Sequence, residues 1–263
     1  MASQRAEIAA HTANIRVNDL SQIIDICKET IGEFNSEQAF WRGHGNAEWL
    51  LIPHVFRSDP EHPEVPKYDE CALIGNFQVR APTRSHTKTP EPDDYFGWLF
   101  LAQHYGLPTR LLDWTENPLV ALYFAVLSQE EARDGCIWAL WPRKLNAIFG
   151  ATFGSIQIQD PMVVELIKPA FVVGSKCDQV ILATDGREID LRMLVQVGRF
   201  TLHSSHAAIE YLSNSATWLR RYIVPKEHKR KLRAQLAAMG IRQSNLFPDL
   251  TNLAAALRAM RFV

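Results

Sequence analysis

The sequence is poor in cysteine, has no long apolar run and carries almost no net charge. Its four cysteines, Cys27, Cys71, Cys136 and Cys177, stand too far apart for a CxxC pair. That spacing excludes a cysteine-held metal pair and a disulfide-dense secreted scaffold, and it predicts small buried thiols in a reducing compartment. No stretch of about 18 apolar residues offers a membrane-spanning helix. The first seventeen residues, MASQRAEIAAHTANIRV, lack the apolar core of a signal peptide. The expected location is therefore cytoplasmic, with no membrane partner. With 28 Lys plus Arg against 29 Asp plus Glu, the net charge of -1 gives no overall attraction to nucleic acid. Repeats, low-complexity tracts and Gly/Ser linkers are also missing. The 263 residues, 47% of them hydrophobic, are enough for a sizeable core and read as one domain over 1–263.

Local signals give an α+β chain with a mixed sheet and surrounding helices. A helix is expected over 20–33, capped by Asn18 or Asp19, with Leu20, Ile23, Ile24, Cys27 and Ile31 on the buried stripe. A short strand follows at 39–42, stopped by Gly43 and Gly45. Asp69 caps a helix that buries Leu73, Ile74 and Phe77. Asp93 and Asp94 cap another over 95–105, closed by Gly106 and Pro108. Pro118 suits the first turn of the next helix. Strands are expected at 136–141, 179–183 and 193–202, and helices at 226–239 and 249–261.

The densest chemistry lies in 99–125, LFLAQHYGLPTRLLDWTENPLVALYFA. Gln103, His104, Tyr105, Thr109, Arg110, Asp113, Trp114, Thr115 and Asn117 fall at a helix end, a turn and the next helix start. Such groups can line a cleft, and the N–H groups near Pro118 can meet an anion. The alternative is a structural junction in which Arg110 pairs with Asp113 and the rest satisfy loop backbone.

Phe40-Trp41-Arg42-Gly43, followed by Trp49, Pro53 and Arg57, resembles the opening of an FRG domain, a family named for its (F/Y)RG motif. Residues 103–115, QHYGLPTRLLDWT, are similar to its second signature. Asn117-Pro118 and 121–125, ALYFA, continue the likeness. The core motifs span about 37–130, with a β-rich remainder and C-terminal helices over 131–263. Gln196, Gly198 and Phe200, and then 246–250, LFPDL, are similar to features found downstream in such proteins. Members occur in bacteria and phages, in contexts that imply toxins or anti-phage defence.

A second resemblance is to ADP-ribosyltransferases of the Arg–Ser–Glu type, and it implies an ADP-ribosyltransferase-like fold with NAD consumed as substrate. It assigns the NAD phosphates to Arg42, whose planar fork donates two parallel hydrogen bonds, and close backbone approach to Gly43. Thr115 and Asp113 shape the nicotinamide end, and Trp114 or Tyr105 stacks on a ring. Arg110 lines the cleft. His104 suits acid/base work. The third element of that family is Gln/Glu-x-Glu, and here the corresponding stretch is Val195-Gln196-Val197-Gly198. Gln196 is therefore a candidate, with Glu188 and Glu210 as candidate carboxylates.

No metal is implied, because His203 and His206 lack a third ligand nearby. The acceptor implied is a macromolecule, protein or nucleic acid, with an antitoxin or regulatory partner. Seven basic residues over 220–233, read as a helix, offer a face for nucleic acid or simply a solvated surface. Two rivals stand beside the NAD reading. One is a metal-independent nuclease using His104, Arg110 and Arg42, with the 220–233 face flanking its cleft. The other is a non-catalytic nucleotide- or protein-binding module with a closed motif region.

Overall fold

Asp69, Asp94, Asn117 and Asp160 each cap a helix start with a short acceptor side chain. The computed structural model describes residues 15–58, 67–84, 89–127, 131–151, 156–157, 159–185 and 191–259. Its first helix, α1 (Ser21–Glu33), begins at Leu20 without a side-chain cap. Asp19 Oδ1 instead accepts the Ser21 N–H at 3.1 Å. The buried stripe is Ile23, Ile26 and Thr30, while Ile24 and Ile31 are exposed. The helix is rotated from the expected face because Thr30 is drawn inward, its hydroxyl lying 3.3 Å from that of Tyr222. Asp69 and Asp94 cap α2 (Glu70–Arg80) and α3 (Tyr95–His104) as expected.

Strand β1 (Phe40–His44) runs straight through Gly43, which does not stop it. After β2 (Leu111–Thr115) comes α4 (Pro118–Ala125), then β3 (Gly135–Leu140) and α5 (Pro142–Ile148). Further on are α6 (Pro161–Ile167) and β4 (Ile181–Asp185). The expected strand over 193–202 is two elements. Helix α7 (Leu191–Gln196) gives way to β5 (Gly198–His203) at Val197, whose φ of 46° breaks the extended run. Residues 220 and 221 belong to a strand, β6 (Leu219–Val224), and not to a helix. The chain continues in α8 (Lys226–Ala238), α9 (Gln243–Leu246) and α10 (Leu250–Ala259).

The six strands form one sheet in the order β4-β5-β2-β1-β3-β6. Every pairing between these strands is antiparallel. Among the described residues parallel contacts occur only at isolated bridges, Arg16 to Ile223 and Ile156 to Thr184. The architecture is α+β. Register is continuous everywhere except in the middle. β1 pairs with β3 along its whole length, and β2 with β5 likewise, but β1 and β2 meet only at Trp41 and Thr115. Beyond that pair the strands part and leave a slot.

Two cores flank the slot. The smaller packs Ile74, Phe96, Leu99 and Phe100 from α2 and α3 on Leu111, Leu182, Phe200 and Leu202. The larger gathers α1, α4 and α8 around β1, β3 and β6. Helix α4 lies so close to β1 that a Cβ on Gly43 would sit 1.8 Å from the Ala121 carbonyl oxygen. Among the described residues no helix is long and apolar enough to cross a membrane.

Candidate functional site

The slot between β1 and β2 opens into a cavity of about 220 Å³. Arg42 and Gly43 come from β1, and Asp113, Trp114 and Thr115 from β2. Phe100, Gln103 and His104 of α3 form one wall, Ala121 and Phe124 of α4 another, and Gln196 with Gly198 closes the end. Segments more than 150 residues apart in sequence thus meet at one place.

Arg42 spans the slot. Its Nη1 donates to the Asp113 carbonyl oxygen at 2.5 Å, satisfying a backbone acceptor in the stretch where β1 and β2 have parted. Its Nε donates to His44 Nε2 at 3.0 Å. Among the described residues two of the five guanidinium N–H donors are engaged this way, which leaves three for a ligand. Burial lowers its pKa to about 10 while the Asp113 charge works the other way, so Arg42 stays cationic at neutral pH.

Asp113 is the one acidic residue lining the cavity among the described residues. Gln103 Nε2 donates to both of its carboxylate oxygens, at 3.1 and 3.0 Å. The Gln103 amide is held in that sense because its oxygen accepts the Thr109 hydroxyl. Arg57, one of the residues that carries the motif likeness, donates Nε to the Ile52 carbonyl at 3.2 Å. Burial lowers its pKa and the Asp113 carboxylate favours its charge.

Thr115 braces the site. Its hydroxyl donates to the Gln196 carbonyl and accepts the Asn117 N–H at 3.0 Å. With its single proton spent there, it is tied to structure rather than aimed as a reacting group. Gln196 itself donates to the Leu246 carbonyl at 2.9 Å, and Phe247 meets Phe124 edge-on at 6.2 Å. The Leu246-Phe247 turn therefore backs the cavity wall. Trp114 lines the cavity while its indole N–H donates to Thr201 at 3.0 Å. The ring of His104 packs edge-on to Tyr105 at 5.0 Å.

Several expectations are corrected. Arg110 neither lines the cavity nor pairs with Asp113. It is buried, with Nη2 and Nε 2.7 and 2.9 Å from Glu70 Oε2 and Nη1 on the Leu166 carbonyl. Tyr105 is 60% exposed and outside the cavity lining. Glu210 is buried elsewhere, both carboxylate oxygens accepting the Leu51 N–H at 3.2 Å. Glu188 lies outside the described residues. Gly43 lines the cavity, and the approach of α4 to β1 also requires a glycine there. The N–H groups near Pro118 do not wait for an anion. Asn117 Oδ1 takes that of Leu119, and the Asn117 carbonyl takes those of Val120 and Ala121.

The 220–233 segment is not one basic face either. Arg220 pairs with Glu33 at 2.7 Å, and Arg221 reaches the Ala47 carbonyl. Lys229 is buried on the Gly45 carbonyl at 2.6 Å, and Lys231 pairs with Asp19 at 2.6 Å. None of these residues lines the cavity. Among the described residues no group of three or more His, Cys, Asp or Glu is placed to hold a metal.

Residues 37–134 match the model of the FRG domain family. That interval, about a third of the chain, is similar to an FRG domain. Neither the curated proteins nor the solved structures contain a match. The matched interval supplies Arg42, Asp113 and the α3 and α4 walls of the cavity, whereas Gln196 and Gly198 lie beyond it. His44 and Phe100 escaped the sequence reading, as did the part Gln103 plays in holding Asp113. His44 was legible in principle, because positions two apart on a strand share a face.

Proposed function

We propose that the cavity takes NAD and cleaves its nicotinamide–ribose bond in an ADP-ribosyltransferase-like reaction. The observation that carries this reading is the meeting of Arg42, the 103–115 signature and Gln196 around one slot. A closed motif region, which a purely structural role requires, is not what the slot presents. The nuclease alternative needs the 220–233 segment at the cleft, and that segment lines no part of it.

The chemistry follows from charge. When the bond between ribose C1′ and the nicotinamide nitrogen breaks, the electron pair leaves with neutral nicotinamide and positive charge develops on the sugar. The carboxylate that stabilises it is assigned to Asp113 in place of the absent Glu. Gln103 already holds this carboxylate, so little reorganisation is needed as the charge develops. The three remaining donors of Arg42 suit phosphate oxygens. Phe100, Phe124 and Trp114 offer flat apolar surface to the nicotinamide ring. At about 220 Å³ the cavity is smaller than the roughly 300–1,000 Å³ typical of drug-sized ligands. It suits one end of a dinucleotide, with the adenosine half outside. His104 stands on the same wall to take a proton from a nucleophile, which is either water or a macromolecular acceptor. Transfer to a macromolecule is the form that suits a toxin or defence effector.

Nicotinamide release by the purified chain tests the reading. Arg42→Ala raises KM for NAD, and Asp113→Asn lowers kcat by about 100-fold or more, as removal of one preorganised electrostatic group does elsewhere. Wild-type protein that neither releases nicotinamide nor gains thermal stability from NAD overturns it.

A further inference from the structure

Arg42, the one arginine lining the cavity among the described residues, is held from behind by a histidine. Arg42 and His44 share one face of β1, and Arg42 Nε lies 3.0 Å from His44 Nε2. An arginine offers donors only. His44 Nε2 must therefore be the acceptor, and the ring proton must sit on Nδ1, 3.2 Å from the Trp49 carbonyl that accepts it. A chain of donors runs from Arg42 through His44 to the Trp49 backbone. We propose that His44, as the neutral Nδ1–H tautomer, is the positioning residue that turns the remaining donors of Arg42 into the cavity.

The surroundings fit that task. His44 is buried, 3% exposed, with Trp49 edge-on at 6.1 Å. The flanking positive charges are Arg42, Arg57 and Arg221, and together with burial they hold the imidazole neutral, its pKa well below 6.5. A protonated ring would set one N–H against another and release the guanidinium. With His44 at Nε and the Asp113 carbonyl at Nη1, the guanidinium plane is fixed at two points before any ligand arrives. Preorganisation of this kind raises affinity by removing the cost of ordering a long side chain on binding.

The inference rests on the cavity reading above but not on NAD in particular, and the experiment keeps the two apart. Long-range ¹H–¹⁵N correlation spectra of the full, ligand-free chain at neutral pH read the His44 tautomer directly. An Nδ1–H ring and a slowly exchanging Arg42 Nε–H signal are expected. An Nε2–H ring overturns the proposal whatever the ligand. Calorimetric titration with NAD and, separately, with inorganic pyrophosphate then compares wild type, His44→Leu and His44→Gln. His44→Leu removes the acceptor and weakens binding by about tenfold or more. His44→Gln offers a carbonyl oxygen to Arg42 Nε and restores most of the affinity, which a side chain needed only for packing does not do. Equal affinities for His44→Leu and wild type refute the positioning role. Pyrophosphate that follows this pattern while NAD does not bind retires the NAD reading and leaves His44 in place. If neither probe binds, the spectra alone decide, and loss of the Arg42 Nε–H signal in His44→Leu with its return in His44→Gln is then the required result.

Discussion

Arg110 stands in the strongest sequence motif and still does nothing at the cavity. Its buried pair with Glu70 clamps α2 to the start of β2. Glu70→Gln leaves a guanidinium buried without its counter-charge, which costs about 3–5 kcal/mol. Chemical denaturation is expected to show a loss of that size, with nicotinamide release from the still-folded fraction unchanged. Two buried histidines set the response to acid. His44 is held neutral by burial and by the nearby guanidiniums, and burial with the Arg42 charge brings His203 down to about 3. In the unfolded chain both protonate near pH 6.5. Their contribution to stability is thus complete above about pH 6.5 and is lost as pH falls below it. Each costs about 1.4 kcal/mol per pH unit until its folded pKa is reached. Melting temperature measured from pH 7.5 to pH 4.5 should fall steeply below 6.5, and less steeply in His203→Phe. A flat profile contradicts the assignment.

Among the elements, those announced by local chemistry were legible and those fixed by distant partners were not. Asp69 and Asp94 name the starts of α2 and α3, because a short acceptor side chain meets an N–H three residues on, and Pro118 names the first turn of α4. The core of β3 was readable from its apolar run. The break between α7 and β5 was hidden, since a left-handed valine carries no local signal. β6 was hidden as well, because Arg220 and Arg221 read as solvated until Glu33 and the Ala47 carbonyl are brought to them from elsewhere. The cavity residues were legible as a motif, but the division of labour between Arg42 and Arg110 was not, since it depends on Glu70 and on where two strands part. Gly43 is the position at which element packing is least forgiving. Gly43→Ala places a methyl inside the Ala121 carbonyl, and overpacking of this severity exceeds the usual cost of about 1–3 kcal/mol. The variant is expected to melt far below wild type or to be insoluble, and a melting point within a few degrees of wild type refutes the account.

For the whole molecule, the FRG match and the folding unit have different limits. The matched interval 37–134 ends just before β3, the full-length partner of β1, and lacks β5, the full-length partner of β2. Its own two strands share one residue pair. A fragment of residues 37–134 therefore has two strands with exposed edges and no sheet to join them. Expressed alone, it is expected to give the circular dichroism and narrow amide shift range of an unfolded chain. A cooperative melting transition in that fragment counts against the argument.

The lone Trp41–Thr115 pair also divides the sheet into two leaves bound at one spine, β4-β5-β2 and β1-β3-β6, each leaf with its own ladders intact. A molecule seated in the slot touches both leaves and acts as a clasp across the opening. Amide hydrogen exchange in β1 and β2 should then slow together on ligand addition, although most of their backbone bonds belong to different leaves.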